Sequence, residues 1–331
     1  MYSNHVRLIN INNYQRNCLT SHGGFAMVML FGKKVRMKQL KLTLLALPFL
    51  VIVFLFAYVP LWGWSFAFFR YIPGISMRDQ QFVGWDNFRF IIQDRANVLR
   101  VLRNTLIFSS LWIVGISTVP IALAIMLSEV GNKLFRRLVQ TVTTIPHFIS
   151  WVVVFAFAFS LFAHDGIINR VFLHFNLIDS PTQMLQNFGA VYIFQTLLAL
   201  WKSAGWNAII YFAAIAGIDQ ELYEAAAIDG AGRFRRILYI TLPGIKETWL
   251  VLFLLNVSAI LSSNFDQYLL FMNPVVSQRL QVLDYYIYRV GLLNQDFGYA
   301  TAIGIIRTFI SLIILFSVNT IAKKVRGKSL I

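Results

Sequence analysis

Three charged side chains stand inside long apolar stretches of the sequence: Lys202, Asp266 and Arg307. A charge at the centre of a bilayer costs about 2.5 to 3.5 kcal/mol on insertion scales, so each such residue is a functional-site hypothesis. Lys202 lies near Trp206, whose ring could stack on the apolar face of a sugar while neighbouring polar groups bond to its hydroxyls. The alternative is a buried Lys202–Asp266 pair that only joins two helices.

The composition explains why these charges matter. The chain has 331 residues, of which 58% are hydrophobic and 13% charged, whereas a soluble domain carries about 25% charged residues. A soluble protein is therefore excluded. The net charge of +15 is typical of a membrane protein that keeps positive loops on one side, so nucleic acid is not an expected partner. The single Cys18 excludes an internal disulfide and gives no cysteine-based metal site.

Six apolar stretches are long enough to cross the hydrocarbon layer, which takes about 20 residues. The runs are continuous rather than alternating, which excludes barrel strands. The sequence therefore predicts an all-α integral membrane protein with six transmembrane helices. The six stretches lie between Lys41 and Arg70, between Arg103 and Glu129, between Arg137 and Asp165, and at about 190–216, 248–271 and 300–322.

The distribution of basic residues predicts the orientation. An even number of spans places both termini on one side, together with the loops after spans two and four. That side carries twice as many Lys and Arg residues as the other, so both termini are predicted to be cytoplasmic. Residues 1–40 are interpreted as a basic, partly disordered cytoplasmic segment, 41–322 as the membrane domain and 323–331 as a basic cytoplasmic tail. The true start could be Met1, Met27, Met29 or Met37.

Residues 217–247, between spans four and five, are helical by pattern but too short and too polar to cross a membrane. Asp219 is predicted to cap a first helix, Gly230 to form the turn, and Pro243 to end a second helix before span five begins. One interpretation is an interfacial helix pair whose basic residues contact lipid head groups. The other is a docking element for a second protein, in which the small Ala225 and Ala226 permit close approach.

The same loop contains a motif that resembles a known family. Its residues match the EAA motif of ABC importer permeases, E-A-A-x3-G-x9-I-x-L-P, at every defined position, and the longer sugar-permease form D-G-A as well. The segments 82–88, 103–106, 166–169 and 302–305 also resemble oligosaccharide and polysaccharide permeases related to the maltose importer, so that the resemblance covers about 40–328. Glu247 departs from it, since the family often has a second proline there. The matching motif residues are Glu224, Ala225, Ala226, Asp229, Gly230, Ala231, Ile240, Leu242 and Pro243.

The resemblance implies a type I ABC importer permease fold in a bacterial cytoplasmic (inner) membrane, surrounded by lipids. It implies a non-catalytic transport subunit without a cofactor or metal of its own, because separate ATPase subunits bind ATP and Mg. The implied partners are two such ATPases, an extracytoplasmic solute-binding protein, an oligosaccharide substrate and a second homologous permease, with a heterodimer favoured. The motif residues would be the ATPase-coupling site.

The resemblance also implies where the substrate passes. In the disaccharide permease, sugar contacts lie about twenty residues before the EAA glutamate and about thirty to forty after it. That spacing points to Lys202, Ser203, Trp206, Asn256, Ala259 and Ser263. Together with the polar residues of the spans, it predicts a substrate pathway of Lys202, Trp206, Asn256, Ser263 and Arg307. The two cations favour an acidic oligosaccharide, such as an alginate-like oligouronide.

Other classes of protein fit the sequence less well. An ATPase is excluded because Gly327-Lys328-Ser329 lacks the first glycine and the preceding strand of a P-loop. A membrane hydrolase would need a nucleophile motif beside its histidines, and none is present. The main alternative is an ion-coupled secondary transporter that uses Asp266, Lys202 and Arg307 as a charge relay. It predicts no role for the cytoplasmic loop.

Overall fold

A computed structural model describes residues 42–326. The predicted segment 1–40, with Cys18, and the end of the predicted tail lie outside this range. The chain divides into two compact units, Met1–Trp64 and Ser65–Ile331. The last helix continues through Arg326.

The described part of the first unit belongs to one long apolar helix, α1 (Leu42–Phe68). It coincides with the first predicted span. A π-helical turn at Phe54–Tyr58 precedes a 3₁₀ segment, Val59–Phe68, that contains Pro60. The ring of a proline clashes with the carbonyl four residues earlier, here that of Phe56, and the wider π turn accommodates it.

After α1 the chain forms a short antiparallel hairpin of β1 (Phe69–Arg70) and β2 (Gln81–Phe82), in which Phe69 lies opposite Phe82. The Asn87 side chain donates hydrogen bonds to the carbonyls of Ala67 (2.9 Å) and Phe69 (3.3 Å). The other described elements are helical, and they include a 3₁₀ turn (Met184–Gln186) and a π-helical turn (Arg289–Leu293). The remaining helices are α2 (Asp86–Gln93), α3 (Arg95–Ile116), α4 (Val119–Glu129), α5 (Lys133–Phe148), α6 (Trp151–Phe162), α7 (Ile167–His174), α8 (Val191–Ala216), α9 (Gln220–Ile228), α10 (Arg233–Ser258), α11 (Phe265–Phe271), α12 (Ser277–Leu280), α13 (Leu283–Tyr288) and α14 (Phe297–Arg326).

Within residues 42–326, five helical stretches are long and apolar enough to cross a membrane. The predicted fourth span is the 26-residue helix α8, which is not among these five in the described range. The predicted second span begins earlier than expected, at Arg95 rather than after Arg103. The five are Leu42–Phe68, Arg95–Glu129, Trp151–His174, Arg233–Ser258 and Phe297–Lys324.

The third predicted span is not one helix. Helix α5 ends at Phe148 and α6 begins at Trp151, with Ile149 and Ser150 in extended backbone conformation between them. The Ser150 side chain accepts a hydrogen bond from the Val153 amide, so it caps α6 and makes the break a defined feature.

Two predictions about the fifth span are also wrong. Pro243 does not end a helix, because α10 runs from Arg233 to Ser258 without interruption. Pro243 has no backbone N–H to donate within the helix. The π-helical turn Ile237–Thr241 lies just before it and accommodates the missing hydrogen bond. The span also ends early, at Ser258 rather than near Phe271, and the polar run before Phe265 separates it from α11.

Helix α8 is the axis of the second unit, and its two halves belong to different cores. The first half joins an apolar cluster through Val191, with Phe108 of α3, Ala158 of α6 and Phe271 of α11. The second half packs through Ala208, Tyr211 and Ile215 against α4 and α10, with Ala124 and Ile245 buried between them. Lys202 lies between these two halves.

Candidate functional site

The loop at 217–247 folds as predicted at its first helix and turn. Asp219 caps α9 by accepting a hydrogen bond from the Glu221 amide at 3.0 Å. Gly230 follows the helix with a φ of +72°, a backbone conformation that costs a side chain energy and suits glycine. The Ala231 amide donates to the Ala226 carbonyl and the Gly230 amide to that of Ala227, which satisfies the last carbonyls of the helix.

Contacts beyond the turn attach the loop to neighbouring helices. The Tyr223 hydroxyl lies 2.9 Å from that of Thr241, which joins α9 to the π turn of α10. Arg233 forms an ion pair with Glu129 at the end of α4 (3.9 Å). These contacts join the loop to α10 and to the end of α4.

The outer surface of the loop is exposed and apolar in the single chain. Ile228 and Phe234 are each 87% exposed, and together with the motif residues they form a surface that another protein can cover. We call this surface the docking surface. Of the motif residues, Ala226, Ala231 and Ile240 are half-buried, and Glu224, Ala225, Asp229, Gly230, Leu242 and Pro243 are exposed.

Lys202 is buried, with 8% of its surface exposed. Within residues 42–326 it forms no ion pair with Asp266, which is exposed in the first turn of α11. The predicted alternative of a Lys202–Asp266 pair is therefore wrong. The Lys202 ammonium donates instead to the backbone carbonyls of His147 (2.7 Å) and Pro146 (3.3 Å) at the end of α5.

Trp206 lies one turn after Lys202 on α8 and contacts the same part of α5. Its ring stacks on that of His147, with 4.8 Å between centroids and 4° between planes. Between them, Gly205 faces the Thr143 carbonyl so closely that a Cβ would lie 2.0 Å from its oxygen. Only a glycine at position 205 lets α5 and α8 approach this closely. Lys202 and Trp206 are thus brought together, beside α5.

Arg307 also finds its partner inside this chain. Its guanidinium pairs with Asp284 of α13 at 2.5 Å and donates to the Leu261 carbonyl at 3.2 Å. The other carboxylate oxygen of Asp284 accepts from the amide (2.8 Å) and the hydroxyl (2.6 Å) of Ser263. Ser263 and Arg307 are thus brought together through Asp284, and the network fixes the segment after α10 to α13 and α14.

A polar cavity of about 190 Å³ lies between α3, α8, α11 and the segment after α10. Ser263 lines it, together with amide side chains from Gln195, Asn264 and Gln267. Gln267 donates to both the backbone and the side-chain oxygen of Gln195, at 2.9 and 2.8 Å. Asn256 does not line this cavity: its amide donates to the Leu252 carbonyl of its own helix (2.8 Å).

Sequence reasoning missed Asp284, Gln195 and Gln267. Asp284 lies outside the predicted spans, so its pairing with Arg307 could not be read from spacing. The two glutamines carried a usable signal, because an amide within an apolar helix needs a hydrogen-bonding partner. Across residues 42–326, no group of three or more His, Cys, Asp or Glu side chains is arranged to hold a metal ion.

A second carboxylate cluster lies just before α3. Asp94 accepts hydrogen bonds from the hydroxyls of Tyr286 and Tyr299 and from the Asn97 amide. Burial raises the pKa of Asp94, but these hydrogen bonds and the charge of Arg100 outweigh it, and the pKa is lowered. Burial and the hydrogen bond to Asp94 raise the pKa of Tyr286 to about 12. The cluster joins the starts of α3 and α14 to α13.

The sequence is similar to known transport proteins over most of its length. Residues 115–327 match the family described as binding-protein-dependent transport system inner membrane component. The Bacillus subtilis protein LplB is 36% identical over 284 residues, covering 86% of this chain and 88% of LplB. The polygalacturonan/rhamnogalacturonan transport system permease protein YteP of Bacillus subtilis is 38% identical over 291 residues, covering 87% and 89%.

Solved structures give the same result. A chain of a bacterial ABC transporter involved in the import of the acidic polysaccharide alginate superposes with a TM-score of 0.79 at 31% identity, covering 89% of this chain and 99% of that chain. A second structure, of the alginate ABC transporter in complex with an alginate pentasaccharide-bound periplasmic protein, gives a TM-score of 0.80 at 31% identity, with coverage of 90% and 98%.

Proposed function

Because the chain belongs to the family of binding-protein-dependent transport system inner membrane components, we propose that it is one of two permease subunits of an ATP-driven oligosaccharide importer. The observation that carries this proposal is the similarity, over nine-tenths of the chain, to an importer of an acidic polysaccharide. The relative named for polygalacturonan and rhamnogalacturonan transport supports the same class of substrate. The chain itself is the non-catalytic membrane subunit.

The substrate we propose is an acidic oligosaccharide, such as an oligouronide. The sequence argument for it relied on Lys202 and Arg307 as free cations in the pathway. Both are already bonded within the chain, to carbonyls and to Asp284. The proposal therefore rests on the alginate importer rather than on these two charges.

The pathway we propose runs past the polar cavity and the exposed face of Trp206. Gln195, Gln267 and Ser263 would bond to sugar hydroxyls, and Trp206, which is 43% exposed, would stack on a pyranose ring. Asn256 remains a proposed pathway residue on α10. Lys202 and Arg307 lie beside the pathway and hold the helices that line it.

The docking surface is proposed to bind a separate ATPase. Its exposed apolar residues and its fixed turn are what a protein partner would bury, and the motif spacing is that of permeases which dock on ATPases. A single docking surface per chain implies a second permease for the second ATPase, and we propose a heterodimer. ATP and Mg would bind to the ATPases, and an extracytoplasmic protein would deliver the saccharide, as the complex with a periplasmic protein suggests for the alginate importer.

The proposed topology has six spans, with α8 as the fourth, and both termini in the cytoplasm. Single cysteines on a Cys18→Ala background, labelled with a membrane-impermeant reagent in intact cells, test it. We expect labelling at the exposed positions 95, 170 and 295 and protection at positions 133, 233 and 324. Labelling at position 233 from outside would overturn the six-span topology.

The transport proposal is tested by saccharide uptake into proteoliposomes that contain the assembled complex and its binding protein. We expect uptake of oligouronides to require ATP inside and to persist when a protonophore dissipates the membrane potential. Oligosaccharides of the same length without carboxylates are the control for charge. Uptake driven by a potential without ATP would replace this proposal with the ion-coupled transporter.

A further inference from the structure

The break between α5 and α6 has contacts on both of its sides that meet at one residue. On the α5 side, the Lys202 ammonium donates to the carbonyls of Pro146 and His147. On the α6 side, the same ammonium lies 5.7 Å from the centre of the Trp151 ring, within the range of a cation–π contact. Trp151 is the first residue of α6, so Lys202 contacts both helices across a gap of two residues.

The carbonyls at the end of α5 need such a donor. The last carbonyls of a helix have no partner within it, and inside a membrane there is no bulk water to bond to them. The only main-chain partner described for the Pro146 carbonyl is the Ile149 amide, at 3.3 Å. A cation at a helix C-terminus also interacts favourably with the helix dipole. Lys202 therefore supplies the donor that the end of α5 needs.

The two helices on either side of the break belong to different packed regions. Helix α5 is held against the second half of α8 by Gly205 and Trp206. Helix α6 packs through Ala158 and Phe155 into the cluster formed with α11 and the first half of α8. Lys202 lies on α8 at the level where one region ends and the other begins.

We propose that Ile149 and Ser150 form a hinge in the third span and that Lys202 is its pin, a positioning residue that fixes the angle between α5 and α6. The proposal rests on the proposed function only in stating that bending at this hinge accompanies import. It assigns Lys202 a role different from that of a saccharide ligand. The hinge requires no new partner, because every group that holds it is in this chain.

Distance measurements on the assembled complex test the hinge without any saccharide. Spin labels at positions 138 on α5 and 160 on α6, both exposed, report the angle between the helices in a Cys18→Ser background. We expect one narrow distance distribution in the parent. Lys202→Met should broaden it and raise the population of a second distance about ten- to a hundredfold, the range expected for losing a charged hydrogen bond.

Two further variants separate the pin from a general effect of charge. Lys202→Arg keeps donors for both carbonyls and should keep the narrow distribution. Lys133→Met removes an exposed positive charge from the first turn of α5 and should also leave it narrow. In transport assays at saturating saccharide, Lys202→Met should still raise the amount of ATP hydrolysed per saccharide imported, whereas the effect of a weakened ligand contact should disappear.

The outcomes decide between the two roles. An unchanged distance distribution in Lys202→Met, with weaker apparent affinity for an acidic saccharide only, would overturn the hinge and make Lys202 a ligand. If Lys202→Met does not assemble, Lys202→Gln replaces it. The Gln side chain is shorter and has no charge for the Trp151 ring, so we expect a broadened distribution, and a narrow one would overturn the pin. The distances between the spin labels are measured without a saccharide. The test of the hinge is therefore independent of the identity of the substrate.

Discussion

The docking surface and the charges inside the spans were both singled out by the sequence, but they differ in whether their side chains have partners within this chain. The docking surface leaves Ile228 and Phe234 almost fully exposed. Lys202 and Arg307, by contrast, already have partners in the same chain. The difference teaches that Lys202 and Arg307 hold helices of this chain together, whereas the docking surface leaves apolar side chains exposed for the proposed partner.

The largest expected effect breaks an internal pair. Arg307→Met leaves the Asp284 carboxylate, whose side chain is 15% exposed, without its cation, and removing one partner of a buried pair costs about 3 to 5 kcal/mol. We expect a clear loss of thermal stability of the purified complex. Arg89→Met is the matched control, because its pair with Asp86 is exposed on both sides and such pairs contribute about 0 to 1 kcal/mol.

The double variant Arg307→Met/Asp284→Leu sharpens this test. It removes both charges and should recover most of the stability, because no unpaired charge remains. Equal destabilisation by Arg307→Met and Arg89→Met would contradict the view that the internal pair holds the helices.

A smaller effect on folding is expected in the docking surface. Gly230→Val places a β-branched side chain at a φ of +72°, at a cost of about 1 to 3 kcal/mol. We expect normal insertion in the membrane but loss of copurification with the ATPase. Gly131→Val is the control, since Gly131 has open space around its Cβ position and no positive φ. ATP hydrolysis that remained fully coupled to transport in Gly230→Val would contradict the docking role.

The smallest effect extends the comparison to a carboxylate outside the spans. The pKa of Asp94 is lowered from its ordinary value of 3.8, so its ionised form stabilises the fold above that value. The contribution is lost as the pH falls through the lowered pKa of the folded state. We expect Asp94→Asn to be less stable than the parent at neutral pH, with the difference shrinking in acid.

Thermal unfolding of the two forms at a series of pH values measures this difference. The exposed Asp86→Asn is the control. A difference between Asp94→Asn and the parent that did not depend on pH would show that the Asp94 hydrogen bonds, rather than its charge, carry the effect.

The sequence predicted the docking turn correctly because its causes are local. Asp219 caps the helix by accepting from the amide of Glu221, only two residues away. Gly230 supplies the backbone conformation that the turn requires. The family assignment from the motif is likewise confirmed. Neither feature depends on a residue that is distant in the sequence, so spacing was sufficient.

The helix breaks were predicted poorly, although they too left a signal. Ser150 precedes an apolar run, which is typical of a helix cap, and the polar residues before Phe265 separate α10 from α11. The prediction joined these segments into single spans because it relied only on the length of the apolar runs. Pro243 was wrongly predicted to end a helix. A π-helical turn accommodates the proline within the helix, and sequence spacing does not distinguish such a turn from a helix end.

The partners of the intramembrane charges could not have been predicted. Lys202 bonds to backbone carbonyls 55 and 56 residues away, and carbonyls have no sequence signature. Two asparagines in the segments that carried the family resemblance also bond to distant parts of the chain. Asn104 donates to the carbonyls of Gln278 and Gln281, and Asn169 bonds to Thr182, so these buried amides fix loops rather than contact a substrate.

The contact of Gly205 with the Thr143 carbonyl has a mechanical consequence. Because the two backbones are in direct contact there, translation or rotation of α8 along its axis would bring a neighbouring side chain into the carbonyl. The contact therefore opposes sliding of α5 along α8, and the two helices move as one rigid body. A rearrangement that opens a passage through this protein is restricted to motions that keep α5 and α8 packed together.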